Sequence, residues 1–202
     1  MNETFTPKTF TIPELSGISA KNIEEHMKLY KGYVTNANLI IEKVAELSKD
    51  AENLPAQAGN TYTIGELQRR FGFEFDGMRN HEYYFSQFEG GSTAFITGSP
   101  LYQKIELTWG SFETWLAQFK ATAMTRGIGW AMLYYDPTTN RLLQTWVEEQ
   151  HLGQLIGLTP ILALDMWEHA YVYDYPTSEK KKYVEAFFAN LNWKVVEERF
   201  VK

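Results

Sequence analysis

Pro160-Ile161-Leu162-Ala163-Leu164, followed at once by Asp165-Met166-Trp167-Glu168-His169-Ala170-Tyr171, is the stretch on which the fold turns. The five apolar residues read as a short buried strand, and the polar and aromatic residues after it open a helical segment. A strand end running into a helix start is a rigid place for side chains, and Asp165 and His169 stand there four residues apart. Taken alone, an Asp–His pair at that spacing is more often a local ion pair than a metal site. Working back toward the N-terminus, Trp130 to Tyr135 reads as a strand, Asp136-Pro137-Thr138-Thr139-Asn140 as a turn, and Arg141 to Val147 as its hairpin partner. Together these segments predict a small, three-stranded antiparallel sheet.

Ahead of the sheet the chain reads as helical. From Ser19 to Asp50 the residues Ile23, Met27, Tyr30, Val34, Ala37, Ile41, Val44 and Leu47 recur at steps of four and three, which predicts one long amphipathic helix. A polar connection rich in Ala, Asn and Gly follows. Thr63 with Glu66 three residues later has the form of a capping box opening a short second helix, which Gly72 and Gly77 interrupt. Asp76 is placed to N-cap a third segment that sets His81, Tyr84, Phe85 and Phe88 on one face. The Gly- and Ser-rich segment Glu89 to Pro100 marks a boundary, Ser99-Pro100 opens a helix, and Ser111 opens another that Gly127 would close. Beyond the last strand, helices fill the chain to Lys202. Helices first and a sheet later predict an α+β fold: an N-terminal long-helix hairpin, residues 1–90, packed on a C-terminal unit, 91–202, with the sheet and surrounding helices.

The chain has 202 residues, 44% of them hydrophobic, which excludes a disordered or low-complexity protein. Its charge, 19 basic minus 25 acidic residues, is −6, and the one short basic run is Lys180-Lys181-Lys182, so no nucleic-acid partner is expected. With no cysteine there is no disulfide, thiolate metal site or iron–sulfur cluster, and any metal must sit on nitrogen and oxygen. The start, Met1 to Leu15, lacks the basic and apolar regions of a secretory signal. The uncharged stretch from Gln150 to Leu164 is too short to cross a bilayer. The expectation is a cytoplasmic protein with no membrane partner.

Only four histidines are present: His26 on the long helix, His81 on the third helical segment, His151 after the hairpin, and His169. Taken singly, His26 reads as a hydrogen-bonded helix histidine and His81 as a core-edge residue beside Tyr84. Spacing alone does not bring the four together.

Asp165-Met166-Trp167-Glu168-His169-Ala170-Tyr171 matches the signature Asp-x-Trp-Glu-His-Ala-Tyr of the iron/manganese superoxide dismutases. Asn80-His81 with Tyr84 and Phe85, Gly110-Ser111-Phe112, Gly127-Ile128-Gly129-Trp130, and Asn192-Trp193 with Arg199-Phe200 stand around it in the family's order. Over almost its entire length the chain therefore resembles that family. The resemblance implies that His26, His81, Asp165 and His169 bind one manganese or iron ion per subunit, with a solvent molecule completing five-coordination. Three imidazoles and one carboxylate suit such ions, whereas calcium or magnesium would call for mostly oxygen ligands. It implies an antioxidant oxidoreductase that converts superoxide to dioxygen and hydrogen peroxide by redox cycling of the metal. Tyr33 then takes the gateway tyrosine position, Gln150 or His151 donates to the bound solvent, and Trp130, Trp167 and Phe85 form a dry wall. Glu168 is expected to bridge to the partner's copy of His169 in a homodimer, with pairing of dimers into a tetramer left open.

Several positions depart from the family pattern. His26 and Tyr33 are seven apart, one fewer than in most relatives, which fits a regular α-helix lacking a π-bulge, since i and i+7 lie within about 20° of each other. Leu29 and Tyr30 replace histidines, and Val172 replaces a tyrosine that relatives hydrogen-bond to one of them across the dimer. The segment Pro176 to Lys182 lacks an arginine; a solvated lysine run is the plainer reading than a lysine at the substrate funnel. Gly77, four residues before His81, has no side chain, so the donor to solvent must come from the loop, where Gln150 is better placed than His151. A glutamine from that loop is the manganese-type pattern, and manganese is expected.

Overall fold

The computed structural model describes residues 4–49 and 58–200. Of the polar connection read above, residues 50–57 lie outside the described residues, and the remainder, Ala58 to Tyr62, is helical rather than a connection. α1 (Ala20–Leu47) is capped by Ser19, whose hydroxyl accepts the amide N–H of Asn22, and is α-helical through all 28 residues, ending at Leu47. Its buried stripe is Asn22, His26, Tyr30, Val34, Ala37 and Ile40. In its first half this stripe lies one position from the apolar Ile23 and Met27, which are only half-buried.

The second helix differs from the sequence expectation. α2 (Ala58–Ser86) is one unbroken helix of 29 residues rather than a short helix followed by a third segment. Thr63 is inside it, its hydroxyl donating back to the Gly59 carbonyl at 2.8 Å, and Glu66 pairs with Arg69 instead of closing a capping box. Asp76 is mid-helix and caps nothing. A glycine costs a helix interior about 1 kcal/mol, and packing overrides that penalty here. A Cβ on Gly77 would meet the Tyr33 ring of α1 at 2.6 Å. That glycine lets the two helices of the hairpin approach.

In the second half, α3 (Pro100–Trp109) and α4 (Phe112–Ala123) begin at Ser99 and Ser111, whose hydroxyls accept from Tyr102 and Thr114. α4 stops at Ala123, with the Met124 amide on the Lys120 carbonyl, so Gly127 does not close it as expected but lies in the turn into the sheet. β1 (Gly129–Asp136) is central, flanked antiparallel by β2 (Arg141–Glu148) and β3 (Thr159–Asp165). A Cβ on Gly129 would fall 2.1 Å from the Val147 carbonyl, so glycine is required where β1 and β2 begin to pair. β1 is buried along its first six positions, and Trp130 lies in register with Asp165. A 3-10 turn, Glu168–Ala170, follows β3 and packs on α1, a second, Thr177–Glu179, leads into α5 (Lys180–Asn190), and α6 (Trp193–Phe200) ends the described chain. This is the α+β architecture expected, with one hydrophobic core shared by both halves.

Two side chains fasten α2 to the sheet. The Gln87 amide, just past the helix, donates to the Ala163 carbonyl and accepts the Ala163 N–H, both at 2.8 Å. Arg199 of α6 donates to Gln87, to Ser86 Oγ and to the carbonyls of Ile161 and Tyr83. The strand carrying Asp165 is thereby held in fixed register with the helix carrying His81. No helix among the described residues is long and apolar enough to cross a membrane.

Asp76 is a half-buried carboxylate, and burial pushes it up to about 6, with His151 opposing. A folded-state value above the ordinary one near 4 means that the folded chain binds the extra proton between about pH 4 and pH 6. Stability is therefore lost as pH rises through that window and stays lower above it. Asp76→Asn is expected to stabilise by about 1 kcal/mol at pH 7.5, after allowance for solvent screening, and by almost nothing at pH 4. Thermal unfolding at both pH values checks this; an equal gain at the two would remove the explanation.

Candidate metal centre

Four elements each contribute one side chain to a point between the helical hairpin and the sheet. His26 comes from the first half of α1, His81 from α2, Asp165 from the last position of β3, and His169 from the 3-10 turn that follows. Their ligand atoms all lie within 4.8 Å of one another. Asp165 Oδ2 is the hub, 3.1 Å from His26 Nε2, 3.1 Å from His169 Nε2 and 3.6 Å from His81 Nε2. The other oxygen, Oδ1, accepts the Trp167 amide at 2.9 Å, which fixes the carboxylate plane and starts the turn that brings His169 back.

The protonation states suit a cation. Burial holds His26 down to about 4 and His81 well below the usual histidine range, so both offer neutral nitrogen lone pairs. Burial by itself would raise Asp165, but His169 and His26 facing it hold it well below the usual carboxylate range, and it is ionised. His81 Nδ1 is committed to the Gly77 carbonyl at 2.6 Å, while its buried Nε2 has no hydrogen-bond partner. Bonds of about 2.1 Å to a first-row ion place donor atoms about 3.0 Å apart at right angles and about 4.2 Å apart when opposite. The observed separations and the unpartnered nitrogen fit such an ion. Three nitrogens and one anionic oxygen match manganese or iron rather than calcium or magnesium.

Aromatic rings close the surroundings. Phe85 stands 4.9 Å from the His26 ring, Trp130 5.1 Å from His81, and Trp167 stacks on His169 at 5.7 Å and 19°. Tyr33 reaches the same place from α1, its ring 5.0 Å from His81. Between Gln150 and His151, Gln150 is the one brought inward. It is fully buried, its Nε2 donates to the Tyr33 hydroxyl at 2.9 Å, and its Oε1 accepts the Trp130 indole N–H at 2.9 Å. His151 is half-buried and packs edge-on against Phe73. Glu149 adopts a left-handed backbone, φ 51°, that swings Gln150 in, and its carbonyl accepts the Trp167 indole N–H.

Further residues with no role in the sequence reading hold this arrangement. Asn80 Nδ2 donates to the Gln150 carbonyl at 2.8 Å, and Gln154 donates to Asn80 Oδ1 and to the same carbonyl. Asn80 was visible only as a neighbour of His81, and nothing in the loop composition marks Gln154. Glu168, Leu29 and Val172 are exposed. The lysine run is occupied elsewhere: Lys180 donates to the Thr125 carbonyl and Lys182 pairs with Glu179.

Comparison with known proteins gives the family of the chain. The family model described as iron/manganese superoxide dismutases, C-terminal domain, matches residues 97–199. An iron superoxide dismutase of Aquifex pyrophilus is 36% identical over 97% of this chain and 91% of its own length. A manganese/iron superoxide dismutase of Aeropyrum pernix is 33% identical over 86% and 78%, and a manganese superoxide dismutase of Nocardia asteroides 32% identical over 94% and 86%. The chain belongs to the iron/manganese superoxide dismutase family, oxidoreductases acting on superoxide.

Gly77→Ala tests the close fit around Tyr33. At an ordinary exposed helix position this change gains about 0.5–1 kcal/mol. Here the new methyl must displace the Tyr33 ring, so a net loss of about 1–3 kcal/mol is expected, together with loss of the Tyr33–Gln150 hydrogen bond. Denaturant unfolding decides it, and a stabilised variant would show that the ring yields freely.

Proposed function

We propose that this chain is a superoxide dismutase in which His26, His81, Asp165 and His169 hold one manganese or iron ion. The carrying observation is the convergence of four donor atoms within 4.8 Å, three of the four residues fully buried, in a chain of this family. These four residues would hold the ion, which would supply reversible one-electron chemistry between its trivalent and divalent states. Two superoxide anions and two protons give one dioxygen and one hydrogen peroxide. The residues around the cluster have to admit a small anion, exclude other water and supply the protons.

Trp130, Trp167 and Phe85 exclude bulk water, while Tyr33 and Gln150 are the proton-handling pair. Burial, with the Asp165 charge, raises the Tyr33 hydroxyl well above its usual range, so it stays protonated. It accepts from Gln150 and keeps its own O–H to give. Gln150 Nε2 has a second N–H beyond the one donated to Tyr33. That N–H can serve a solvent molecule at the centre. His151, facing Phe73, is the less suitable donor.

Manganese is the proposed metal, supported by two features: Gly77 offers no side chain, its Cβ space being filled by Tyr33, and the amide comes from the loop after β2. A donor so placed lowers the potential at which the ion cycles, which suits manganese, whose intrinsic potential is the higher, and leaves iron too reducing. The proposal is tested by preparing the metal-free protein, loading each ion separately and assaying superoxide consumption per bound metal. The manganese form should be the more active, and Asp165→Ala should retain neither ion, since it removes the only anionic donor. An equally active iron form would overturn the preference; full metal content in folded Asp165→Ala would overturn the ligand assignment.

A homodimer completes the proposal. Glu168 is exposed next to His169, where it can reach the partner's His169 across a two-fold axis, with the exposed apolar Val172 four residues further on and the exposed Leu29 three residues after His26. Residues 1–90 and 91–202 would be its two structural units, sharing one core. Sedimentation at assay concentration should find dimers; a fully active monomer would remove the bridge from the reading.

A further inference from the structure

Asn22 is fully buried in the first turn of α1, and neither Oδ1 nor Nδ2 of its side chain has a hydrogen-bond partner. One helical turn further on, His26 has the same problem at its other nitrogen: Nε2 is 3.1 Å from Asp165 Oδ2, but the buried Nδ1 is unpartnered. Residues four apart share a helix face, and helical side chains lean toward the N-terminus, so the His26 ring leans over Asn22. The needs of the two groups are complementary. With Nε2 facing Asp165 and lending its lone pair, a neutral imidazole carries its proton on Nδ1 and can only donate there, while Asn22 Oδ1 can only accept. His81 shows how the same need is met elsewhere, for its Nδ1 pairs with the carbonyl of Gly77, also four residues earlier. The Asn22 turn is held in place, since Ser19 Oγ accepts the Asn22 amide and the Ser19 amide donates to Asp174 Oδ2 at 2.9 Å, in the segment beyond His169.

We infer that Asn22 is a positioning residue for His26: its Oδ1 accepts the Nδ1–H of that ring across one bridging water, and thereby fixes the tautomer that presents Nε2 to the metal. Buried polar groups left without protein partners are commonly joined by one such water. Groups of this kind behind metal-ligating histidines typically change affinity about ten- to a hundred-fold when removed. The inference rests on the reading of His26 as a ligand, and one set of variants separates the two. The protein is loaded with manganese, and its release to a chelator at pH 7 is timed for the parent, His26→Ala, Asn22→Leu and Asn22→Asp; thermal midpoints are taken for the metal-free forms. His26→Ala should not hold the metal. Asn22→Leu should release it about ten- to a hundred-fold faster than the parent, while its metal-free midpoint is unchanged or higher, since a buried amide without partners has been removed. Asn22→Asp, which keeps an acceptor in place, should stay close to the parent. Parental release from Asn22→Leu, release from Asn22→Asp as fast as from Asn22→Leu, or a lower midpoint in metal-free Asn22→Leu would overturn the role of Asn22 and leave the metal reading standing. Parental retention by His26→Ala would overturn the metal reading, and this inference with it.

Discussion

The Asp165 carboxylate is the constraint on which the rest depends. A charge taken fully out of water costs several kcal/mol unless it is paired or hydrogen-bonded. Asp165 is at zero exposure, at the end of a strand, with three imidazole nitrogens between 3.1 and 3.6 Å from one oxygen and a backbone amide on the other. The histidines come from two helices and a turn, so the charge is tolerated only if all three elements are docked at once. Conversely, the neutral histidines would be poorly placed polar groups in an apolar core without something to share. The site and the fold are one packing problem.

That problem is solved by fastening the hairpin to the sheet at points away from the site. Gln87 hydrogen-bonds both backbone groups of Ala163, two residues before Asp165, and six residues after His81. Any slip of β3 by one position would put Asp165 on the opposite face and break both bonds. Arg199 adds four further hydrogen bonds among α6, α2 and β3, and partial burial lowers it to about 10, still far above neutral pH, so it remains a cation. The placement of the donors is thus set by neutral and charged hydrogen bonds that never touch them.

The sheet was legible because each of its signals is local. Five apolar residues after Leu158-Thr159, and a Pro-Thr-Thr-Asn turn between two strand-like runs, fix β1 to β3 with no knowledge of what they pack on, and Ser99 and Ser111 cap helices by chemistry within three residues. The helical hairpin was legible only in part. Gly72, Gly77, Asp76 and the Thr63–Glu66 pair all suggest breaks in α2 by intrinsic preference; for Gly77 the reason that glycine stands inside the helix lies on α1, in the Tyr33 ring that fills the space a Cβ would need. On α1 itself, the apolar period tracks Ile23 and Met27 while the deepest positions are Asn22 and His26, because the molecule buries polar groups where it builds a site. The convergence of four donors from distant segments could not be read from spacing, and entered only through resemblance to a family. Of the two residues that hold Gln150, Asn80 stood in the pattern only as the neighbour of His81, and Gln154 left no trace in it.

The group formed by Tyr33, Gly77, Gln150 and Trp130 joins the helical hairpin to the sheet half of the molecule at the site. Seven residues of regular helix between His26 and Tyr33 return the tyrosine to within about 20° of the histidine's direction, so both enter the same space from one helix. The ring then presses on α2 at position 77, where only glycine leaves room. A helix side chain cannot contribute an amide there, so the amide is delivered from the opposite side, by a loop whose left-handed Glu149 turns Gln150 inward between Trp130 and Tyr33. Each of these features makes the next necessary: the spacing places the ring, the ring excludes a side chain, and the exclusion passes the hydrogen-bonding role to the sheet half of the molecule. A change at any one of the four positions is therefore expected to act through the other three, with coupling energies between them rather than independent contributions.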